Sequence, residues 1–230
     1  MKDDFEEKIL LELEDIRLSY SGKAILNHVN LSILSGRLIG MVGDNGLGKS
    51  TLLKLMAGIM QAELGLKKVN SSGISYILSV EQLYSWMKVK DALLFYQNFY
   101  DDFDLMQAKE LLKKYHISEK QRVGKLSKGH GEIVCLILGL SRKVELYLMD
   151  ESLSGIDPYF KKDIKQFLLE NMPENSTLVI ATHLLKELEF LLDEIIFVTK
   201  EGVFQIETET IRLEYGMSVE QYYLEEVSHE

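Results

Sequence analysis

Four short segments of this 230-residue chain carry residue types that handle phosphate. GDNGLGKS, residues 43–50, fits the pattern G-x-x-x-x-G-K-[ST]. There Gly43, Gly46 and Gly48, with Asp44 and Asn45 between them, let backbone N–H groups close around phosphate oxygens. Lys49 can reach the outer phosphates, and the Ser50 hydroxyl, followed by Thr51, can bind Mg²⁺. YLMDES, residues 147–152, ends an apolar run on two adjacent acids. Strand alternation points Asp150 and Glu151 in different directions, so one carboxylate can serve Mg²⁺ and the other an attacking water. His183 closes a second apolar run, TLVIATH. LSKGHGE, Leu126 to Glu132, opens the most continuously apolar stretch, IVCLILGL, and has the look of an anion-binding helix N-terminus. Acids at a strand end also cap helices, and a lone His is commonly structural. Together with a phosphate loop about 100 residues upstream, the two acids read as a nucleotide hydrolase site.

These residues need a scaffold that brings them to one edge. RLIGMV, ELYLMD and TLVIAT read as short buried strands, and TLLKLMAGIM and DPYFKKDIKQFLLE as helices, the latter opened by Asp157 and Pro158. LLKELEFLL has helical spacing, and EIIFVTK and VFQIE read as further strands. Apolar strands alternating with amphipathic helices predict an α/β fold with a mainly parallel sheet. In such sheets ligands sit beyond the carboxyl ends of the strands, where Val42, Asp150 and His183 all arrive. Ahead of this core, ILLELEDIRLSY and AILNHVNLSI alternate as half-buried strands of an N-terminal antiparallel β-subdomain. VKDALLFYQNFY and DLMQAKELLKKY step by three and four residues, which predicts an inserted helical subdomain over about 83–140. We read 1–230 as a single domain with a short acidic tail over about 208–230.

Charge narrows the function classes. The net charge of −10 is concentrated at the ends: residues 1–15 carry −5 and residues 201–230 carry −7, which leaves +2 on the body. A near-neutral body is compatible with a local phosphate site but offers no basic footprint for nucleic acid. The single Cys135 excludes an internal disulfide and reads as core. No apolar run approaches the roughly 20 residues of a membrane helix, and the acidic start MKDDFEEK is the reverse of a signal peptide, so a cytoplasmic chain is expected.

In order, Tyr20, GDNGLGKST, LSKGH, LYLMDE, SGID and His183 resemble the nucleotide-binding subunit of an ATP-binding cassette (ABC) transporter, from Tyr20 to about Gly202. The resemblance implies a P-loop NTPase (RecA-like) core and ATP with Mg²⁺ as ligands. It implies that Tyr20 stacks on adenine, Asp150 supports Mg²⁺, Glu151 polarises the hydrolytic water and His183 senses the γ-phosphate. LSKGH is similar to the signature motif usually written LSGGQ, with Lys128 and His130 as departures and Ser127 and Gly129 kept. SGID resembles the D-loop, which puts Asp157 among the nucleotide-binding residues. Ser152 stands where Pro generally follows the catalytic Glu. The Q-loop is open: its Gln falls on Ser79 by distance to LYSWMKV, yet Gln82 lies three residues later, so either Gln82 reaches Mg²⁺ through a shifted loop or the contact is lost.

The same resemblance implies partners: a separate transmembrane permease, and a second ABC ATPase chain packed head to tail. Ser127, Gly129 and His130 of one chain would then meet the γ-phosphate held by Lys49 of the other, with the chain peripheral on the inner face of the membrane. MDESLSGIDP, the stretch after His183 and the tail TIRLEYGMSVEQYYLEEV are similar to ATPases of bacterial antibiotic and peptide exporters. The alternative is a nucleotide-binding regulatory or scaffold subunit with weak hydrolysis. Seven of the 21 aromatics fall between Tyr84 and Phe103. Phe95, Phe99 and Phe103 share a helical face and are expected in the core, and Tyr84, Trp86 or Tyr100 is expected to line the permease groove.

Overall fold

Two sheets organise the chain in the computed structural model, which describes residues 8–150, 158–181 and 188–227. The strands are β1 (Ile9–Tyr20), β2 (Lys23–Leu34), β3 (Leu38–Val42), β4 (Leu64–Val69), β5 (Ile74–Ile77), β6 (Leu146–Asp150), β7 (Thr177–Ala181), β8 (Glu194–Val198) and β9 (Val203–Glu207). One sheet is antiparallel, in the order β2-β1-β4. The other runs β5-β6-β7-β3-β8-β9, parallel throughout except for the β8–β9 hairpin at its edge. β1 turns into β2 through Ser21 and Gly22, both at positive φ (51° and 79°), the two-residue geometry whose twist suits a hairpin.

Strand periodicity assigns the two faces of the parallel sheet to two apolar clusters. Tyr147 and Met149 of β6, Leu178 and Ile180 of β7, and Ile195 and Phe197 of β8 face one cluster. Leu146, Leu148, Val179, Ala181, Ile196 and Val198 face the other. The second cluster is closed by α1 (Lys49–Met56) and the antiparallel sheet. The first is closed by α2 (Val89–Phe99), α3 (Leu105–Lys114), α4 (Lys128–Leu140) and α5 (Pro158–Asn171). A sheet buried on both faces explains why β3, β6, β7 and β8 read as continuous apolar runs rather than as alternation.

The structure corrects the expected aromatic core of the helical insertion. Val89, Ala92, Leu93 and Tyr96, at i, i+3, i+4 and i+7, form the buried stripe of α2. Phe95 and Phe99 lie on the outer face, stacked at 4.4 Å between ring centroids. Phe103 is half-buried beyond the helix end, packed against the cluster with Tyr100. Of the expected helix LLKELEFLL, only the end is described, and Glu189–Leu191 forms a 3₁₀ turn. The edge strands β4 and β5 were not anticipated from the sequence. β4 is a short, largely exposed edge with two adjacent Lys, which masks its alternation.

α4 is buried from Gly131 to Leu140, as an all-apolar helix must be. It lies so close to β5 and the turn after it that a Cβ at Gly139 would come within 2.6 Å of Ile77 Cγ1, and one at Gly131 within 2.4 Å of Val80 Cγ2. Just past its C-terminal end, Arg142 ties the insertion to the sheet. Its guanidinium donates to both Asp102 carboxylate oxygens (2.8 and 2.7 Å) and to the Ile74 carbonyl (2.7 Å), and it sits 3.9 Å from the Tyr100 ring centroid.

The C-terminal segment folds back onto the core through helices at Thr208–Glu214 and Val219–Tyr222 and a π-helical turn at Tyr223–Val227. The Tyr223 ring lies parallel to Phe197 at 5.9 Å, and its hydroxyl donates to Asp44 Oδ1 at 2.8 Å. Burial, then the Asp44 carboxylate beside it, pushes the Tyr223 phenol from its ordinary 10.0 up to about 12.

Arg142→Lys should lower unfolding stability by about 2 kcal/mol, because an ammonium cannot reproduce the paired bonds to Asp102 and the ring contact; urea unfolding at constant slope measures it. The Tyr223 contact also predicts a pH dependence. Its phenol ionises later folded than unfolded, so its stabilising contribution is intact below pH about 10 and is lost as pH rises toward about 12. The stability difference between the native chain and Tyr223→Phe should shrink across that window; a difference that stays constant contradicts the contact.

Candidate functional site

The phosphate loop runs from the end of β3 into α1, and its shape follows from its glycines. A Cβ at Gly43 would lie 2.1 Å from the Val198 carbonyl oxygen, so only glycine lets the first residue of the loop pass this close to the end of β8. Gly48, the N-cap of α1, sits at φ 104°, a conformation costly for other residues, and no side chain caps the helix there. The first N–H groups of α1 are therefore directed at the loop with no capping side chain. Asp44, Asn45 and Gly46 are exposed, Gly48, Ser50 and Thr51 half-buried.

Lys49 is only 7% exposed, yet its ammonium donates to the Gly43 and Asp44 carbonyls (2.7 and 3.0 Å) and, among the described residues, meets no carboxylate. A buried cation held by two carbonyl dipoles is suited to an anion. Ser50 Oγ donates to Asp150 Oδ1 at 2.9 Å, which joins the start of α1 to the end of β6. Tyr76 Oη donates to the other oxygen, Oδ2, at 3.2 Å, and burial, then Asp150, raises its pKa well above the ordinary phenol value. A hydroxyl beside a carboxylate is a hard-oxygen pair of the kind Mg²⁺ takes alongside substrate phosphates. Among the described residues no three acidic, His or Cys side chains form a complete metal cage, so phosphate oxygens or water would have to complete the shell. The uncapped helix start, the buried Lys49 and the Ser50–Asp150 pair thus fit a nucleotide phosphate with Mg²⁺.

The remaining candidates divide. Tyr20 ends β1 beside the hairpin tip and is 75% exposed, open to a planar ring. Glu151, Asp157 and His183 lie outside the described residues. Gln82 closes a 3₁₀ turn, Val80–Gln82, with its Oε1 accepting from the Ser79 N–H at 2.8 Å. The two alternative Q-loop residues are therefore partners in one capping box, and the Gln82 carboxamide oxygen is engaged there. Ser127 caps α4, accepting from the His130 N–H at 3.2 Å. Ser127 and His130 are exposed and Gly129 is half-buried; among the described residues none of them is hydrogen-bonded to the phosphate loop. The sequence reading missed two contacts to this site, Tyr76 and Tyr223. The segment GISYI just before Ser79, short but rich in strand-forming Ile and Tyr, was the available signal for Tyr76. Nothing local marks Tyr223, which arrives from 179 residues away.

Comparison with known proteins agrees with this geometry. A family profile described as "ABC transporter" matches residues 26–154. The chain is 28% identical over 210 residues to "ABC transporter ATP-binding protein YtrB" of Bacillus subtilis (strain 168), an alignment covering 86% of this chain and 71% of that protein. It is 26% identical over 220 residues to "Lantibiotic transport ATP-binding protein SrtF" of Streptococcus pyogenes, covering 87% and 91%. A solved structure titled "Structure of ATP binding subunit of ABC transporter" superposes with a TM-score of 0.83 at 22% identity, covering 94% of this chain and 98% of that one. The phosphate loop at the edge of a parallel sheet, the capped helix beginning LSKGH and the matched profile lead to one conclusion: the chain belongs to the ABC transporter family, as an ATP-binding, ATP-hydrolysing subunit.

Proposed function

We propose that this subunit powers export of a peptide, antibiotic or similar amphiphile through a separate membrane permease. The observation that carries the motor reading is the buried Lys49 beside the Ser50–Asp150 pair. The name of the lantibiotic relative supports the cargo class. No described helix is long and apolar enough to cross a membrane, and the proposal places the translocation path in the permease.

In this reading the N–H groups at the start of α1 and the Lys49 ammonium bind the phosphates, exchanging the Gly43 and Asp44 carbonyls for phosphate oxygens. Tyr20 packs on adenine. Ser50 and Asp150 hold Mg²⁺, which when bound neutralises charge on the transferring phosphoryl group. Glu151 orients and polarises the attacking water, and His183 contacts the γ-phosphate. Asp157 joins the nucleotide-binding set of the paired chains. Ser127, with the N–H groups of Gly129 and His130, completes the site of a second chain. Exposure of Ser127 and His130 supports that role, since these groups are available to a partner. Loss of the γ-phosphate would remove the bridging contacts and let the pair open.

The permease contact has its own support. Tyr84 and Trp86 are 64% and 67% exposed and stacked at 5.5 Å, and Phe95 and Phe99 stack beside the outer face of α2. Exposed aromatic area of this kind marks an interface. Tyr100, half-buried beneath Arg142, is taken up by the fold instead.

Lys49→Ala should abolish tight ATP binding, whereas Glu151→Gln should bind ATP, lose turnover by about a hundredfold or more and accumulate as an ATP-bound dimer. Gel filtration with ATP and phosphate release measure both; native turnover in Glu151→Gln removes the catalytic assignment. Trp86→Ala should weaken association with the permease by about tenfold or more while ATP hydrolysis by the isolated subunit persists. An unchanged affinity in a binding titration would exclude this surface. Efflux of a labelled amphiphilic peptide that depends on intact Lys49 supports export, and Lys49-dependent uptake contradicts it.

A further inference from the structure

We propose that Tyr76 is a positioning residue that holds the Asp150 carboxylate in the orientation in which it serves Mg²⁺. This rests on the reading of Asp150 given above and extends it to a residue that no motif includes.

The placement follows from sheet register. Tyr76 of β5 pairs with Leu148 of β6, so Tyr76, Leu148 and Asp150 all point to the same face, the one covered by α1. The diagonal step from Tyr76 to Asp150 is about 7–8 Å in a paired sheet, a span that a tyrosine covers and a shorter hydroxyl residue does not. Tyr76 Oη meets Oδ2 at 3.2 Å while Ser50 Oγ meets Oδ1 at 2.9 Å, so each carboxylate oxygen has its own hydroxyl donor. A carboxylate held from both sides has lost the rotation about its terminal bond. Ser50 and Asp150 would hold Mg²⁺ with this carboxylate already oriented, because the Tyr76 hydroxyl donates to Oδ2 and keeps the charge of Asp150 in place.

The neighbouring residue on β5 faces the other way. Ser75 Oγ donates to the Gly139 carbonyl of α4 at 2.9 Å, and Ile77 packs against Gly139. The strand that carries Tyr76 is thereby fixed against the helix whose N-terminus is LSKGH, which limits drift of the phenol relative to Asp150.

The experiment is calorimetric titration of the full chain with ATP, in EDTA and in excess Mg²⁺. The readout is the gain in affinity that Mg²⁺ confers, which requires no turnover. Tyr76→Phe removes only the hydroxyl. It should leave the affinity in EDTA unchanged and reduce the Mg²⁺-dependent gain by about three- to tenfold, the range for one such hydrogen bond. In an Asp150→Asn background the same substitution should have no further effect on that gain, because the group it positions is already altered. A native Mg²⁺ gain in Tyr76→Phe overturns the proposal, as does an equal loss in EDTA and Mg²⁺, which would mean that Tyr76 shapes the pocket rather than Asp150. A native response in Asp150→Asn overturns the reading of Asp150 itself, and Tyr76 with it. If Tyr76→Phe does not fold by circular dichroism, Tyr76→Met, which equally lacks the hydroxyl, carries the same comparison.

Discussion

Parallel pairing of β3 between β7 and β8, with β6 beyond β7, is the constraint on which the rest depends. It sends Val42, Asp150 and Ala181 to one edge of the sheet, and the phosphate loop and the Asp150 carboxylate can meet only because those strand ends are level. The single Ser50–Asp150 hydrogen bond then joins residues 100 positions apart and records that register directly. A one-residue slip of β6 would turn Asp150 toward the opposite cluster and leave a carboxylate buried among apolar side chains.

Close backbone approach is the second requirement, and glycine meets it. The contact of Gly43 with the Val198 carbonyl and those of Gly131 and Gly139 with β5 and the turn after it set the depth of the loop and the seat of α4. With α4 seated, its N-terminus carries Ser127 and His130 outward, and the helical insertion is anchored at the other end by Arg142. The Arg142 joint therefore links the segment that offers aromatic side chains to the sheet that carries the phosphate loop.

Most polar side chains of the candidate set already have partners close at hand. Lys49 rests on two loop carbonyls, Ser50 on Asp150, Asp150 also on Tyr76, Gln82 on Ser79 and Ser127 on its own helix. Binding at the loop must exchange the Lys49 and Ser50 bonds, while the N–H groups at the uncapped start of α1 supply donors that no side chain has taken. The Tyr223–Asp44 bond adds a contact from the far end of the chain to the same loop.

The phosphate loop and the fold class were legible in short stretches of sequence. A phosphate loop is a local backbone shape written in glycine spacing, and buried parallel strands are unbroken apolar runs; both are properties of a few adjacent residues. Tertiary structure decided what depended on long-range packing. Three- and four-residue steps permit more than one stripe on α2, and only contact with the sheet and α4 chose Val89, Ala92, Leu93 and Tyr96 for burial and left Phe95 and Phe99 outside. β4 and β5 were hidden because short edge strands carry weak alternation and gain their pairing from β1 and β6. Tyr76 and Tyr223 acquired their partners through cross-strand register and chain return, over 74 and 179 residues, separations at which no spacing rule holds. A hydroxyl finds a carboxylate across such a distance only after the sheet has fixed where both strands end.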